Sequence, residues 1–172
     1  ETGAGSGNLP SETVTAVAVD FDNEIWIGTD NGLAVLYNSD GIFSAAGTTD
    51  VSRILVTYDG NVEMLLGNSF ISDIEIDGGN RKWIGTQESG VFLVSADGQE
   101  VLANFNKDNS PMISNLVLDM EFNHLTGELF IITDNGMVSY RTDATYEDPD
   151  YSSTTVFPNP VKPDFFGPIT IQ

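Results

Sequence analysis

Side chains with oxygen atoms that could bind a cation are concentrated in one short segment of the chain. Asp20, Asp22, Asn23 and Glu24 lie there between two apolar runs. Carboxylate and amide oxygens at this spacing could hold Ca²⁺ in a flexible loop. The same residue types are also common in hairpin turns, because their side chains accept hydrogen bonds from nearby backbone N–H groups. Turn chemistry is the favoured interpretation and calcium is the alternative; no metal site and no cofactor are predicted.

His124 is the single histidine, and it lies in a predicted turn beside Asn123 and Gly127. The chain has no cysteine, so neither a thiolate nor a second imidazole could join His124 in a metal site. We find no Ser-His-Asp arrangement, no phosphate-binding glycine loop and no zinc spacing. The chain is therefore predicted not to be an enzyme, with no catalytic residue and with His124 in a solvated loop.

The remaining charged groups have structural interpretations. Arg81 and Lys82 form a rare positive spot that could meet an acidic partner, although solvation of a strand edge is favoured. The pairs Asp30-Asn31 and Asp134-Asn135 recur, but Glu88-Ser89 takes their place in the second copy, so turn geometry explains them better than a ligand site. Four acidic residues are predicted to be a solvated linker: Asp143, Glu147, Asp148 and Asp150.

Composition limits the partners of the chain. Its 172 residues carry 26 acidic and 6 basic side chains, a formal charge of −20. Such a surface repels phosphate backbones and anionic lipid, which argues against nucleic acid and direct membrane adsorption. No apolar run reaches the 18 residues of a membrane span. The chain starts without Met and stops after the strand-like "GPITIQ", so we expect a piece of a longer protein.

The elements that carry these residues repeat. The hairpin "IWIGTDNGLAVL" (25–36) returns as "KWIGTQESGVFLV" (82–94) and more faintly as "LFIITDNGMVS" (129–139). Each copy follows a β-branched run, and Trp26, Trp83 and Phe130 occupy equivalent positions. This spacing predicts an all-β chain with one four-stranded sheet per repeat, the blade of a β-propeller. Residues 53–58 and 62–66 are predicted to complete the first blade, and residues 100–105 the second.

Two positions in the repeat predict how the blades pack. The ring of Trp26 or Trp83 should fill the space between neighbouring sheets. Gly28 and Gly85, which have no Cβ, should let an adjacent sheet approach closely, whereas Ile132 stands at this position in the third copy. Three blades do not close a ring, so two apolar faces should need a cover, either missing blades or self-association of the fragment.

The sequence changes character after residue 141. We predict the last blades of a propeller in residues 1–141, an acidic linker in 142–155 and the start of a truncated C-terminal β-sandwich in 156–172. The basis for the last assignment is "TVFPNPVKPDFFGPITIQ" (155–172), in which four prolines punctuate two short strands. Because proline is confined to edges and turns of sheets, this segment is not a blade hairpin.

Two features of the chain resemble known families. The unit "LPSETVTAVAVDFDNEIWIGTDNGLAVL" (9–36) resembles the two-component-regulator propeller repeat, found in periplasmic hybrid sensors and in PorZ-like surface components of type IX (Por) secretion. The "VFPNPVKPDFFGPITI" tail and "GGNRKWIGTQESGVFLVSADG" are more similar to the PorZ-like group. That resemblance implies a seven-bladed propeller at the extracellular face of the outer membrane, with other secretion-complex proteins as partners. It also implies lipopolysaccharide binding by the C-terminal sandwich, most of which lies beyond residue 172.

Three classes of function follow in order of preference. The first is a non-catalytic structural and interaction module that helps to assemble the cargo-attachment complex of type IX secretion. The second is a periplasmic ligand-sensing propeller of a hybrid two-component sensor, against which "PNPVKPDFFGP" argues. The third is an enzyme, because some lyases and phosphatases are propellers, but these three repeats supply no cluster of His, Glu or Arg around a channel mouth.

Overall fold

The computed structural model describes residues 2–37, 39, 50–58, 61–145, 156–157 and 170–171. Within these ranges the chain is all β, as predicted. The described residues contain no helix long and apolar enough to span a bilayer. The strands, in chain order, are β1 Val14–Val19, β2 Ile25–Thr29, β3 Gly32–Leu36, β4 Leu55–Tyr58, β5 Asn61–Met64, β6 Ile71–Ile76, β7 Lys82–Thr86, β8 Val91–Val94, β9 Val101–Phe105, β10 Val117–Asn123, β11 Glu128–Thr133, β12 Gly136–Arg141, β13 Val156–Phe157 and β14 Thr170–Ile171.

Three antiparallel sheets form the predicted blades. The first contains β1–β2–β3, the second β6–β7–β8–β9 and the third β10–β11–β12. The three sheets share one register, because Gly28, Gly85 and Ile132 pair with Ala16, Asp73 and Asp119 on the innermost strands. Each innermost strand also has a register shift near its start. The fold is thus a partial β-propeller in which successive innermost strands lie side by side.

The outer strands differ from the prediction of three four-stranded blades. Among the described residues only the second blade has four strands. The segment expected to complete the first blade instead forms a separate β4–β5 hairpin. It joins the first blade through Ser52, whose backbone exchanges two hydrogen bonds with Val35 at 2.8 and 2.9 Å. The hairpin segment also packs against the blades, since Ile54, Val56 and Leu65 lie in the same buried cluster as Trp26 and Ile71.

Close packing between blades explains the two glycines, as the sequence predicted. A Cβ on Gly28 would lie 2.6 Å from Cγ2 of Ile71 on the second blade, and one on Gly85 would lie 2.9 Å from Cγ1 of Val117 on the third. Trp26 and Trp83 are fully buried in the clusters between these pairs of blades. The core therefore lies between the sheets, where each blade uses its neighbour to exclude water.

The β2–β3 and β11–β12 turns are built by threonine and glycine. Thr29 Oγ1 donates to the Gly32 carbonyl at 2.8 Å and accepts the Asn31 N–H, and Thr133 repeats this with Gly136 and Asn135. Gly32 and Gly136 have φ of 120° and 129°, a conformation that favours glycine. Asn31 and Asn135 do not have a positive φ.

The segments predicted to be a linker and a sandwich lie mostly outside the described residues. In the predicted linker, residues 142–145 are described, and the acidic residues Glu147, Asp148 and Asp150 are not. In the predicted sandwich, β13 and β14 form a two-stranded antiparallel pair in which Val156 faces Ile171 and Phe157 faces Thr170. The sandwich itself stays a prediction.

Candidate functional site

A buried ion pair joins the first blade to the second. Lys82 Nζ lies 2.8 Å from a carboxylate oxygen of Asp20, and both side chains are 0% exposed. The ammonium group also donates to the carbonyls of Asn80 and Ala96 and lies 4.7 Å from the ring centroid of Trp26. Every donor of the ammonium group therefore has an acceptor, which is the condition under which a buried charge is tolerated.

Asp20 also organises the turn between β1 and β2. One carboxylate oxygen accepts the N–H groups of Asp22 and Glu24 at 3.0 and 2.9 Å, and the other accepts the indole N–H of Trp26 at 3.0 Å. Burial alone would raise the Asp20 pKa, but hydrogen bonds from Lys82, the Glu24 amide and Trp26 outweigh it and lower the pKa. These bonds confirm turn chemistry for Asp20, and no group of ligands suited to a metal ion occurs among the described residues.

The second blade repeats this arrangement with Asp77. Its carboxylate accepts the N–H groups of Gly79 and Arg81 and the indole N–H of Trp83. The Arg81 guanidinium lies 2.7 Å from Asp77 and 2.6 Å from Asp143, which follows the third blade. Burial would lower the Arg81 pKa, but the two carboxylates raise it. Arg81 therefore bridges the second blade to the chain that leaves the third.

The sequence interpretation of Arg81 and Lys82 as an exposed positive spot is wrong. Lys82 is fully buried, and both cations are held by carboxylates of this chain. The ion pair between Asp20 and Lys82 could not be predicted from the sequence around either residue, since Asp20 precedes Lys82 by 62 positions. One signal was present: Lys82 occupies the position of Ile25 in an otherwise repeated Trp-Ile-Gly-Thr strand. A cation that replaces an aliphatic residue in a buried repeat indicates a buried partner.

His124 lies in the β10–β11 turn, with its ring centroid 5.1 Å from that of Phe122. The side chain is half-buried rather than fully solvated, and burial lowers its pKa. Asn123 Oδ1 accepts the N–H groups of Leu125 and Thr126, so the turn beside His124 is stabilised in the same way as the turn after Asp20. The surroundings of His124 therefore indicate a packing role for its side chain.

A row of carboxylates lies between the second and third blades. Asp73 Oδ2 accepts the Met120 N–H at 2.8 Å. The Phe122 backbone amide, on the same strand, lowers the pKa of Glu75. The second blade thus uses the Asp73 side chain to satisfy a backbone N–H of β10. Burial raises the pKa of Glu75 to about 7, with further contributions from Asp73, Glu121 and Asp119. Burial also raises the pKa of Asp73.

Replacing Glu75 by glutamine should remove a pH dependence of stability. The folded-state pKa of about 7 exceeds the ordinary value of 4.5, so wild-type stability falls as pH rises from about 4.5 to 7. The glutamine amide has the same shape and keeps an oxygen acceptor at this position. After allowance for solvent screening, E75Q should gain about 1 kcal/mol, or about 2–4 °C in Tm, above pH 7 and nothing near pH 4.5.

Thermal unfolding from pH 4.5 to 8 checks this, with the exposed turn variant Glu88→Gln as the control. An E75Q gain that does not change with pH, or that E88Q reproduces, would contradict the assignment to Glu75.

A polar cleft of about 1060 Å³ is lined by residues of the β4–β5 hairpin and of the second blade. Its lining includes Phe92 and two asparagines whose amides already have partners: Asn104 Nδ2 donates to Ser89 O at 2.9 Å, and Asn106 Nδ2 donates to Asn104 Oδ1 at 2.8 Å. Arg53, also in the lining, donates to the Gly67 carbonyl. These groups stabilise the cleft walls rather than converge on a ligand.

The two outer blades each present an apolar face. On β1, Val14, Val17 and Val19 are 45%, 60% and 57% exposed, although their counterparts Ile71, Ile74 and Ile76 on β6 are buried. The third blade exposes Leu118, Ile132 and Met137. Because the three blades share one register, we expect both faces to make contacts of the kind seen between the described blades.

Comparison with known proteins confirms the predicted resemblance. Residues 8–31 match the family described as two component regulator propeller. The chain is similar to the solved structure of PorZ, an essential bacterial surface component of the type-IX secretion system of Porphyromonas gingivalis, with a TM-score of 0.74 and 32% identity. The match covers 92% of this chain and 21% of PorZ.

More distant matches support the same fold. The extracellular domain of a candidate hybrid two-component system of Bacteroides thetaiotaomicron matches with a TM-score of 0.58 and 16% identity, over 80% of this chain and 19% of that one. Histidine kinase P4 of Formosa agariphila is 27% identical over 90 residues, which are 52% of this chain and 6% of the kinase. An ancestral GH74 enzyme has a TM-score of 0.57 at 18% identity and shows the fold alone. The chain thus spans a small part of each relative.

Proposed function

We propose that this chain is a non-catalytic structural and interaction module, the last blades of a seven-bladed propeller in a PorZ-like component of type IX secretion. The observation that carries the proposal is the 32% identity to PorZ over 92% of this chain. The candidate sensor domain reaches 16% over 80%. Similarity to PorZ therefore extends through the whole repeat array.

The charged groups of the blades support a structural role. Lys82, Arg81 and Asp20 are committed to ion pairs, and Asp73 accepts a backbone hydrogen bond. Catalysis requires such groups to be within reach of a substrate. In this chain they join neighbouring sheets, which suits a rigid support for other proteins.

The proposal extends to location and partners. The module would lie at the extracellular face of the bacterial outer membrane and contact other proteins of the secretion complex. Residues 142–155 would be a linker, and residues 156–172 would begin a C-terminal sandwich that binds anionic lipopolysaccharide. The blades themselves, within a chain of net charge −20, would repel that anionic surface. The blades would therefore contact proteins, and the sandwich would bind lipopolysaccharide.

A chimera tests the proposed function. The blades of P. gingivalis PorZ that align with this chain would be replaced by residues 1–145, and a PorZ-deficient strain would carry the chimera. We expect surface-attached cargo to recover to at least half of the level obtained with intact PorZ. A matched chimera carrying the aligned blades of the B. thetaiotaomicron domain should not restore cargo attachment. An exported, folded chimera with residues 1–145 that leaves cargo unattached would overturn the proposal.

The alternative is a periplasmic ligand-sensing propeller of a hybrid two-component sensor. The 27% identity to histidine kinase P4 over 90 residues favours it. The coding sequence beyond residue 172 distinguishes the two proposals. A membrane-spanning helix followed by a kinase domain supports the sensor, whereas a completed β-sandwich supports the secretion component.

A further inference from the structure

The equivalent buried carboxylates of the first two blades obtain their cations in different ways. Asp20 and Asp77 each follow an innermost strand, and each accepts an indole N–H, from Trp26 and Trp83 respectively. Asp20 receives its cation from the next blade, since Lys82 Nζ lies 2.8 Å away. This buried ion pair joins the first blade to the second.

The third blade does not supply the equivalent cation to the second. Leu129 is the counterpart of Lys82, because both pair with the same register position of their innermost strands. Leu129 is fully buried in the core between the second and third blades. Asp77 pairs instead with Arg81, which belongs to its own blade. The pair between Asp77 and Arg81 therefore does not by itself join the second blade to the third.

The chain that follows the third blade reaches this pair. Arg81 Nη2 lies 2.6 Å from Oδ1 of Asp143, while Nε of the same guanidinium lies 2.7 Å from Asp77. A guanidinium suits this role because its planar set of donors can bind two carboxylates at once. The contact between the second and third repeats is thus charged like the one between the first and second, but here the later segment provides the anion.

Residues 142–145, which we call the strap, contact one turn of each of these two blades. Thr142 N–H donates to the carbonyl of Gly127, in the β10–β11 turn, at 2.7 Å. A Cβ on Gly79, in the β6–β7 turn, would lie 3.8 Å from the Cβ of Ala144. Thr142 Oγ1 also donates to the Ala144 carbonyl at 3.0 Å, which holds the strap in a turn. The chain therefore crosses from the third blade to the second before it continues.

We propose that the strap is a salt-sensitive latch that ties the third blade to the second and fixes the point from which the following chain leaves the blades. Arg81 and Asp143 are the two halves of the latch. The Asp143 side chain is 84% exposed, so salt screens the pair and the latch can open while the blades stay folded. Of the proposed linker, only the part after residue 145 is then free to act as one. The inference does not depend on whether the parent protein is a secretion component or a sensor.

Hydrogen exchange of the Thr142 amide, measured on the full 172-residue chain, tests the latch. We expect this amide to be protected in wild type. Asp143→Asn keeps the shape of the side chain and removes its charge, so it should lower the protection factor about threefold or more, as expected for an exposed ion pair. Raising salt from about 0.05 M to about 1 M should lower wild-type protection similarly and leave D143N almost unchanged. Asp108→Asn, in the loop after β9, removes an exposed charge as a control and should have almost no effect.

An engineered disulfide tests where the strap lies, because the chain has no cysteine of its own. Gly79→Cys with Ala144→Cys should form an intramolecular disulfide in the folded monomer, since a separation of 3.8 Å between the Cβ atoms lies in the usual range for disulfides. Gly79 does not have a positive φ, so it can accept cysteine. Gly79→Cys with Asp108→Cys is the matched control and should not crosslink, because the loop after β9 lies at the opposite end of the second blade.

Four results would overturn the proposal. The first is a Thr142 amide without protection in wild type, and the second is protection that neither D143N nor salt lowers. The third is an equal effect of D143N and D108N, which would assign the change to net charge rather than to Arg81. The fourth is a G79C/A144C variant that is folded, as judged by thermal unfolding, and crosslinks no faster than the control pair. If that variant does not fold, the exchange data on D143N decide.

Discussion

Lys82→Met should lower the free energy of unfolding by about 3–5 kcal/mol, because it leaves the buried carboxylate of Asp20 without its cation. The side chain of Lys82 is 0% exposed, so water cannot replace the lost charge without opening the interface between the first two blades. For a domain of this size, the loss corresponds to a fall in Tm of about 6–20 °C. Chemical and thermal denaturation at pH 7 measure it.

Lys107→Met is the matched control, since Lys107 is exposed in the loop after β9. It removes the same charge and should change stability by less than about 0.5 kcal/mol. A double-mutant cycle with Asp20→Asn then isolates the pair: the second substitution should cost less in the K82M background than in the wild type. Strictly additive effects, or a K82M cost like that of K107M, would show that the ion pair does not stabilise the interface.

The fold could be predicted from the sequence because the same pattern of strand, turn and packing residues occurs three times. The three predicted hairpins form as β2–β3, β7–β8 and β11–β12, and the two tryptophans and two glycines play the predicted roles. Such features depend on neighbours within one repeat or on the next copy of the same repeat. The spacing of the repeat therefore indicates which residues pack between neighbouring blades.

The rest depends on contacts that have no repeated counterpart. Lys82 resembles a surface residue until the first blade brings Asp20 beside it. Two β-branched runs around residue 60 predict a hairpin, yet the way in which this segment joins the first blade depends on the Val35–Ser52 backbone pair and on packing in the core. Glu75 resembles an ordinary surface acid, and burial against the third blade raises its pKa to about 7.

These differences share a physical cause. A residue that acts within its own strand or turn leaves a local signature, whereas a charge that joins two blades is recognised only when both blades are in place. Asp20 has both roles, since it stabilises its own turn and binds Lys82. The sequence predicted the first role and missed the second. The charged contacts between blades are therefore the part of this candidate site that the sequence alone did not predict.

Gly28→Ala should destabilise the chain by about 1–3 kcal/mol, the usual cost of overpacking a core. The new Cβ would lie 2.6 Å from Cγ2 and 2.8 Å from Cβ of Ile71, a fully buried, β-branched residue that cannot rotate away without moving its strand. Relief therefore requires the first and second blades to separate. Thermal unfolding measures the cost.

The sign of this effect is diagnostic. Gly28 does not have a positive φ, so alanine is conformationally acceptable and would otherwise stabilise by about 0.4–1 kcal/mol through the unfolded state. Gly3→Ala is the matched control, because its Cβ would meet its nearest neighbour at 3.9 Å. It should be neutral or stabilising. If G28A behaves like G3A, the blades are not in the close contact that this fold requires, and the interblade role of Lys82 would be in doubt as well.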